Sequence, residues 1–182
     1  MQSTVNSFVH AFGPFGFGDA VLVALLVLAA VLDVRTLRIP NWLTLTGFAA
    51  AVLFHLSGAA GALGWWAPLS GAALALALLL PLWMLRVMGA GDVKLMGVVG
   101  AFLGPAGLVP ALLFTCVAAG VLALAWAARR GVIGQLAPNL RFVATCLFAS
   151  PGRAPSVGSF PYAVGICAGT VAYLAARYAG LF

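Results

Sequence analysis

Three acidic side chains occur in 182 residues, Asp19, Asp33 and Asp92, so each can be weighed on its own. Asp33 lies near the end of an otherwise apolar run, in Val31-Leu32-Asp33-Val34. A carboxylate held in apolar surroundings is costly and by default a functional candidate; the plainer reading is an ion pair with Arg35 or Arg38. Asp92 follows Gly89-Ala90-Gly91. Glycines there permit close backbone approach, and a first-turn carboxylate sits near free helix amides, so a capping role alone would explain it. Asp19 follows Phe17-Gly18 and fits a helix cap. It stands about 21 Å from Asp33 along a helix and belongs to a different site.

Two carboxylates brought together in a low dielectric do not both ionise easily and tend to share one proton. That state suits the splitting of a peptide bond by water. The ionised member takes a proton from the attacking water, and the protonated member hydrogen-bonds to the carbonyl oxygen. Which aspartate takes which role is open in the sequence. Other hydrolytic chemistries lack their residues: there is no H-E-x-x-H and no G-x-S-G with a partnered histidine, and His10 and His55 are isolated. His55 reads as a packing histidine. Cys116, Cys146 and Cys167 lie far apart without C-x-x-C spacing, which argues against a zinc site or a disulfide framework. No metal and no cofactor is expected.

The elements that position these residues are set by lipid. With 64% hydrophobic and 7% charged residues and a mean hydropathy of +1.16, the chain reads as all-α and polytopic, because membrane-spanning backbone must satisfy its own hydrogen bonds. Apolar runs and their breakers place about six transmembrane helices in one domain over 1–182, at about 19–36, 42–57, 68–87, 92–104, 106–128 and 160–180. The fourth, about 13 residues, reaches only about 20 Å and is expected to stop short of the far surface.

The net charge of +6 would suit nucleic acid in a soluble domain, but here the basic residues sit between apolar segments and read as orientation signals, so no nucleic-acid partner is expected. Arg35 and Arg38 follow the first segment, Arg86 and Lys94 flank the junction of the third and fourth, and Arg129, Arg130, Arg141 and Arg153 follow the fifth. Arg177 alone falls opposite. Both termini should face outward, and Asp33 and Asp92 should share the cytoplasmic face. A single crossing through Gly104-Pro105 would throw Arg129 and Arg130 outward, so a hairpin broken there fits better. The start, Met1 to Gly18, has no Lys or Arg and is expected to be retained rather than cleaved. Phe12 to Phe17 suits an interfacial anchor. Between 131 and 159, the stretch Asn139 to Ser150 reads equally as a surface helix or an irregular loop.

Around the two aspartates, Pro40-Asn41 reads as a turn and cap. Lys94 lies about 200° round the helix from Asp92, poor for direct pairing; it could hold substrate carbonyls or serve as an inside anchor. Gly97, Gly100 and Gly104 form a seam where a neighbouring helix can approach, which could help to bring Asp33 to Asp92.

Gly89-Ala90-Gly91-Asp92-Val93-Lys94-Leu95 resembles the G-x-G-D-x-K-L motif of the type IV prepilin peptidases. Asp33-Val34-Arg35 through Ile39-Pro40-Asn41 resembles that family's first-aspartate block, and Phe160-Pro161-Tyr162-Ala163-Val164-Gly165, more weakly, the opening of its final helix. The resemblance implies an aspartic endopeptidase of the bacterial cytoplasmic membrane that removes the short basic leader of prepilins at the inner face. Asp33 and Asp92 match the catalytic pair, with Gly89, Gly91, Lys94, Pro40 and Asn41 in support. Larger members carry a C-x-x-C domain and methylate the new amino terminus. Without that domain the chain resembles the short tight-adherence (Flp-type) pilus enzymes, and less closely the archaeal preflagellin peptidases, so cleavage without methylation is implied. The partners implied are prepilins and the bilayer. The alternative is a small transporter or assembly scaffold whose membrane aspartates bind protons or cations; it would need acids spread through the membrane depth.

Overall fold

The computed structural model describes residues 16–57, 64–85, 88–129 and 162–181. They form five helical elements: α1 (Phe17–Thr36), α2 (Asn41–Leu56), α3 (Ala67–Met84), α4 (Ala90–Arg129) and α5 (Tyr162–Tyr178). Where they fall on described residues, the segments expected from the sequence match these helices to within a few residues at their ends; 86–87, 160–161 and the stretch 139–150 fall outside the described residues. Three helices are long and apolar enough to cross a membrane, Phe17–Thr36, Ala67–Met84 and Ala90–Trp126, and Asn41–Leu56 is a shorter apolar helix. Large apolar side chains such as Leu45, Leu53, Leu113 and Val117 are exposed on the outside of the bundle. In water they would be a liability; in lipid they are solvated.

α4 is two helices in one. Gly104 inside it takes φ 68° and ψ 177°, a backbone region open in practice to glycine, and Pro105 follows. The contacts on either side show what this does. α2 runs antiparallel to α1, with Gly18 against Phe54 and Gly47 against Leu25. The first half of α4 runs parallel to α2, since Lys94 meets Asn41 and Val98 meets Gly47. α5 returns along α1 in the opposite sense, with Ala163 beside Asp33 and Tyr178 beside Asp19. The second half of α4 is antiparallel to α5, because Tyr173 meets Gly107, Gly169 meets Thr115 and Gly165 meets Ala119. Therefore the halves of α4 run in opposite directions, as the expected hairpin broken at Gly104-Pro105 does. The near end of the bundle, where α1 finishes and α2 begins, also holds the start of α4 and of α5.

α4 lies at the centre, against α3, α5 and α2. Its buried Met96, Val99 and Leu108 join Leu22 and Leu26 of α1, Leu43 of α2 and Ile166 and Leu174 of α5 in one core. The glycine seam of α4 works otherwise than the sequence suggested. Gly100 is pressed directly on the backbone of Gly71, so the seam draws in α3 and not α1. Gly97 touches nothing that a Cβ would meet.

Candidate active site

α1 ends one turn beyond Asp33. Leu37 caps it in the left-handed conformation, φ 51°, with its N–H on the Asp33 carbonyl oxygen at 2.8 Å. The short link that follows turns the chain into α2, and Thr36 braces it by donating to the Leu32 and Arg38 carbonyls at 2.8 and 3.0 Å. The Asp33 side chain faces inward and is 7% exposed.

α4 begins at Ala90, with Gly89 accepting the N–H groups of Asp92 and Val93. Asp92, in the first turn, reaches back to the Gly89 N–H. That is the reciprocal half of a capping box, so the plainer reading of Asp92 holds as far as it goes. It does not exhaust the residue, because Asp92 is also buried, 7% exposed, and lies within electrostatic reach of Asp33. The two motif blocks interlock. Gly91 leaves room for Ile39, whose Cβ would stand 3.2 Å from an added one, and Lys94 Nζ donates to Asn41 Oδ1 at 2.9 Å. Lys94 thus pairs across to α2, consistent with its poor angle for Asp92, while Pro40 takes the extended conformation that admits α2.

A third element closes the site from the far side in sequence. The Ala163 N–H, in the first turn of α5, donates to Asp33 Oδ2 at 3.1 Å. An amide there has no intrahelical partner and carries the positive end of the helix dipole, so it suits a carboxylate. Tyr162 beside it lies within electrostatic reach of Asp92. Sequence reasoning missed both; the signal was the segment Phe160 to Gly165, set aside as the weaker match.

Among the described residues the one ion pair joins Arg177 to Asp19. Arg35 and Arg38 are exposed, and neither neutralises Asp33. The plainer reading of that residue therefore fails. Asp19 departs from expectation too. It lies in the first turn of α1 but makes no side-chain cap bond at Gly16; its carboxylate accepts from the Tyr178 hydroxyl and from Arg177 Nη2 at 3.4 Å. The Gly16 N–H donates to the same hydroxyl at 2.8 Å. Asp19 ties α1 to α5 at the far end. His55 is buried in α2 toward the end away from the aspartates, with Nδ1 2.9 Å from the Ala51 carbonyl oxygen; its buried Nε2 has no hydrogen-bond partner among the described residues, so it packs without being fully satisfied. The described residues contain no group of three or more His, Cys, Asp or Glu that could hold a metal ion.

A family model described as "Type IV leader peptidase family" matches residues 20–124, a stretch that contains both buried aspartates. A prepilin leader peptidase/N-methyltransferase of Pectobacterium carotovorum subsp. carotovorum is 31% identical over 121 residues, which cover 60% of this chain and 41% of that protein. The chain thus matches about two fifths of the length of this curated relative. No solved structure matches it.

Proposed function

The chain belongs to the type IV leader peptidase family, and from that premise we propose that it is an intramembrane aspartic endopeptidase that removes the leader from Flp-like prepilins, with Asp33 and Asp92 as its catalytic pair. One observation carries the reading: two buried carboxylates from distant parts of the chain lie within electrostatic reach of each other at one end of the bundle, with no ion-paired cation on either among the described residues. A structural carboxylate in lipid would be paired; a pair left to compete for one proton is equipped to move it.

In this reading the six helical segments, counting α4 as two, cross or enter the bacterial inner membrane with both termini outward, and the aspartates open to the cytoplasmic face. Water held between the carboxyls is deprotonated by the ionised one as it attacks the scissile carbonyl. The other supplies a hydrogen bond to the developing oxyanion and then passes its proton to the leaving amine. The Ala163 N–H fixes the Asp33 carboxylate for this step, and the Asn41–Lys94 bond with the Ile39–Gly91 contact sets the spacing of the pair. The proposal extends to cleavage alone. No C-x-x-C occurs in the 182 residues, and the purified chain is expected to leave the new amino terminus unmethylated.

The test is the size shift of a co-expressed prepilin. Asp33→Asn and Asp92→Asn are each expected to abolish it at normal membrane levels of the protein, since an amide keeps the shape but does not exchange the proton. Full processing by either variant would falsify the proposal.

A further inference from the structure

Between α2, α3 and the first half of α4 lies a groove of about 550 Å³. Exposed Leu45, Leu69 and Leu76 form its rim, so it opens on the lipid-facing flank of the bundle. Its walls are apolar apart from Thr44, which is satisfied by the Asn41 carbonyl at 3.0 Å, and the Asn41–Lys94 pair. That pair joins the two motif blocks, so the groove runs up to the candidate catalytic end.

Two features of the groove bear on what it could hold: exposed Lys94 at its end and buried Gly97 on its floor. Lys94 has three N–H donors, and its partner among the described residues is one neutral amide oxygen. Gly97, one turn further on, is buried, yet a Cβ there would meet nothing within 4 Å, whereas Gly100 is pressed on Gly71. Gly97 is small without being needed small by a neighbouring helix; it keeps the floor open. Lys94, Gly97 and Val98 share one face of α4, so the Lys94 donors without a partner among the described residues and the open floor are parts of one surface.

A membrane helix about to be cut must unwind at the cut, and unwound backbone at membrane depth has to find donors and acceptors in protein. We propose that this groove seats the apolar helix of the substrate, and that Lys94 receives the main-chain carbonyls of the extended residues leading from that helix into the aspartate pair. The assignment rests on the peptidase reading above. A second groove, about 430 Å³ between α1 and α5, is the competitor. It is lined by Val27, Val31, Val34 and Val164, with Arg35 at its end, and no residue of α4 borders it. It therefore touches the Asp33 block and not the Asp92 block.

The decisive experiment places a photo-crosslinking amino acid at Ala73 or Leu45, or at Val27 or Val164, in the full chain carrying Asp92→Asn. The probe is a single-span peptide of a short basic leader and about 20 apolar residues, in the same membrane. Crosslinks to the probe are expected from Ala73 and Leu45 and not from the other two. Equal or stronger crosslinking from Val27 or Val164, or capture of lipid alone at Ala73 and Leu45, overturns the assignment. A second variant, Gly97→Leu in the active chain, has room to fold and is expected to raise KM about tenfold with kcat changed by less than about twofold. An unchanged KM also overturns it. The crosslink is read without cleavage, so a failed dyad leaves the groove result standing, and a failed groove leaves the aspartate variants to speak for the dyad.

Discussion

The same two helices, α1 and α5, are joined by an aspartate at each end, and the two joints are built from opposite chemistry. At the far end Asp19 is given a guanidinium and a phenol, Arg177 and Tyr178, and the Arg177 guanidinium also lies over the Tyr178 ring, 5.4 Å from its centre. Every charge there is answered. At the near end Asp33 is given a main-chain N–H and a second carboxylate, and its local cations, Arg35 and Arg38, turn away into exposed positions. An aspartate that only holds helices together needs the first arrangement. The second leaves its charge without a cation among the described residues, the arrangement that the proposed proton transfer needs.

The comparison can be broken most severely at the near end. The double variant Asp33→Asn, Asp92→Asn is expected to be scarcely worse than either single one, because both groups serve one step; a further large loss, measured as residual prepilin processing, would mean that each acts alone. Giving the near end what the far end has should do almost as much damage. Tyr162→Arg would place a cation within reach of Asp92, hold both carboxyls ionised, and lower the cleavage rate by about a hundredfold or more while the protein still inserts. Retained activity in that variant would show that proton sharing is not required. The smallest effect belongs to the far end. Asp19→Asn still accepts from Tyr178 and loses a half-exposed ion pair of about 0–1 kcal/mol, so processing should stay within about twofold. Loss of processing by Asp19→Asn at normal expression would erase the distinction between the two ends.

Both near-end aspartates and the break at Gly104 were legible in the sequence, because each leaves a mark that apolar surroundings cannot hide: a charge that must be accommodated, or a Gly-Pro step that ends a helix. The pattern of basic residues leads to the expectation that the chain reverses at Gly104-Pro105, and by their contacts the two halves of α4 run in opposite directions. What could not be read was rotation. In water an apolar stripe shows which face of a helix turns inward, but here core and lipid are equally apolar, so Gly97 and Gly100 looked alike although one is packed and the other open. The partners of Lys94 and Asp19 were hidden for the same reason. Asn41 and Tyr178 lie 53 and 159 positions away, and only the assembled bundle selects them.

The donor that holds Asp33 belongs to the main chain, and this governs what mutagenesis can see. An alanine scan passes over position 163 because alanine is already there, and replacements by other side chains leave the N–H in place. Genetic screens would thus report position 163 in the first turn of α5 as tolerant while missing a contact to one of the two acids. Proline is the exception among the encoded residues. It is accepted in the first turn of a helix and removes the hydrogen, so Ala163→Pro cuts this one bond and leaves α5 able to form.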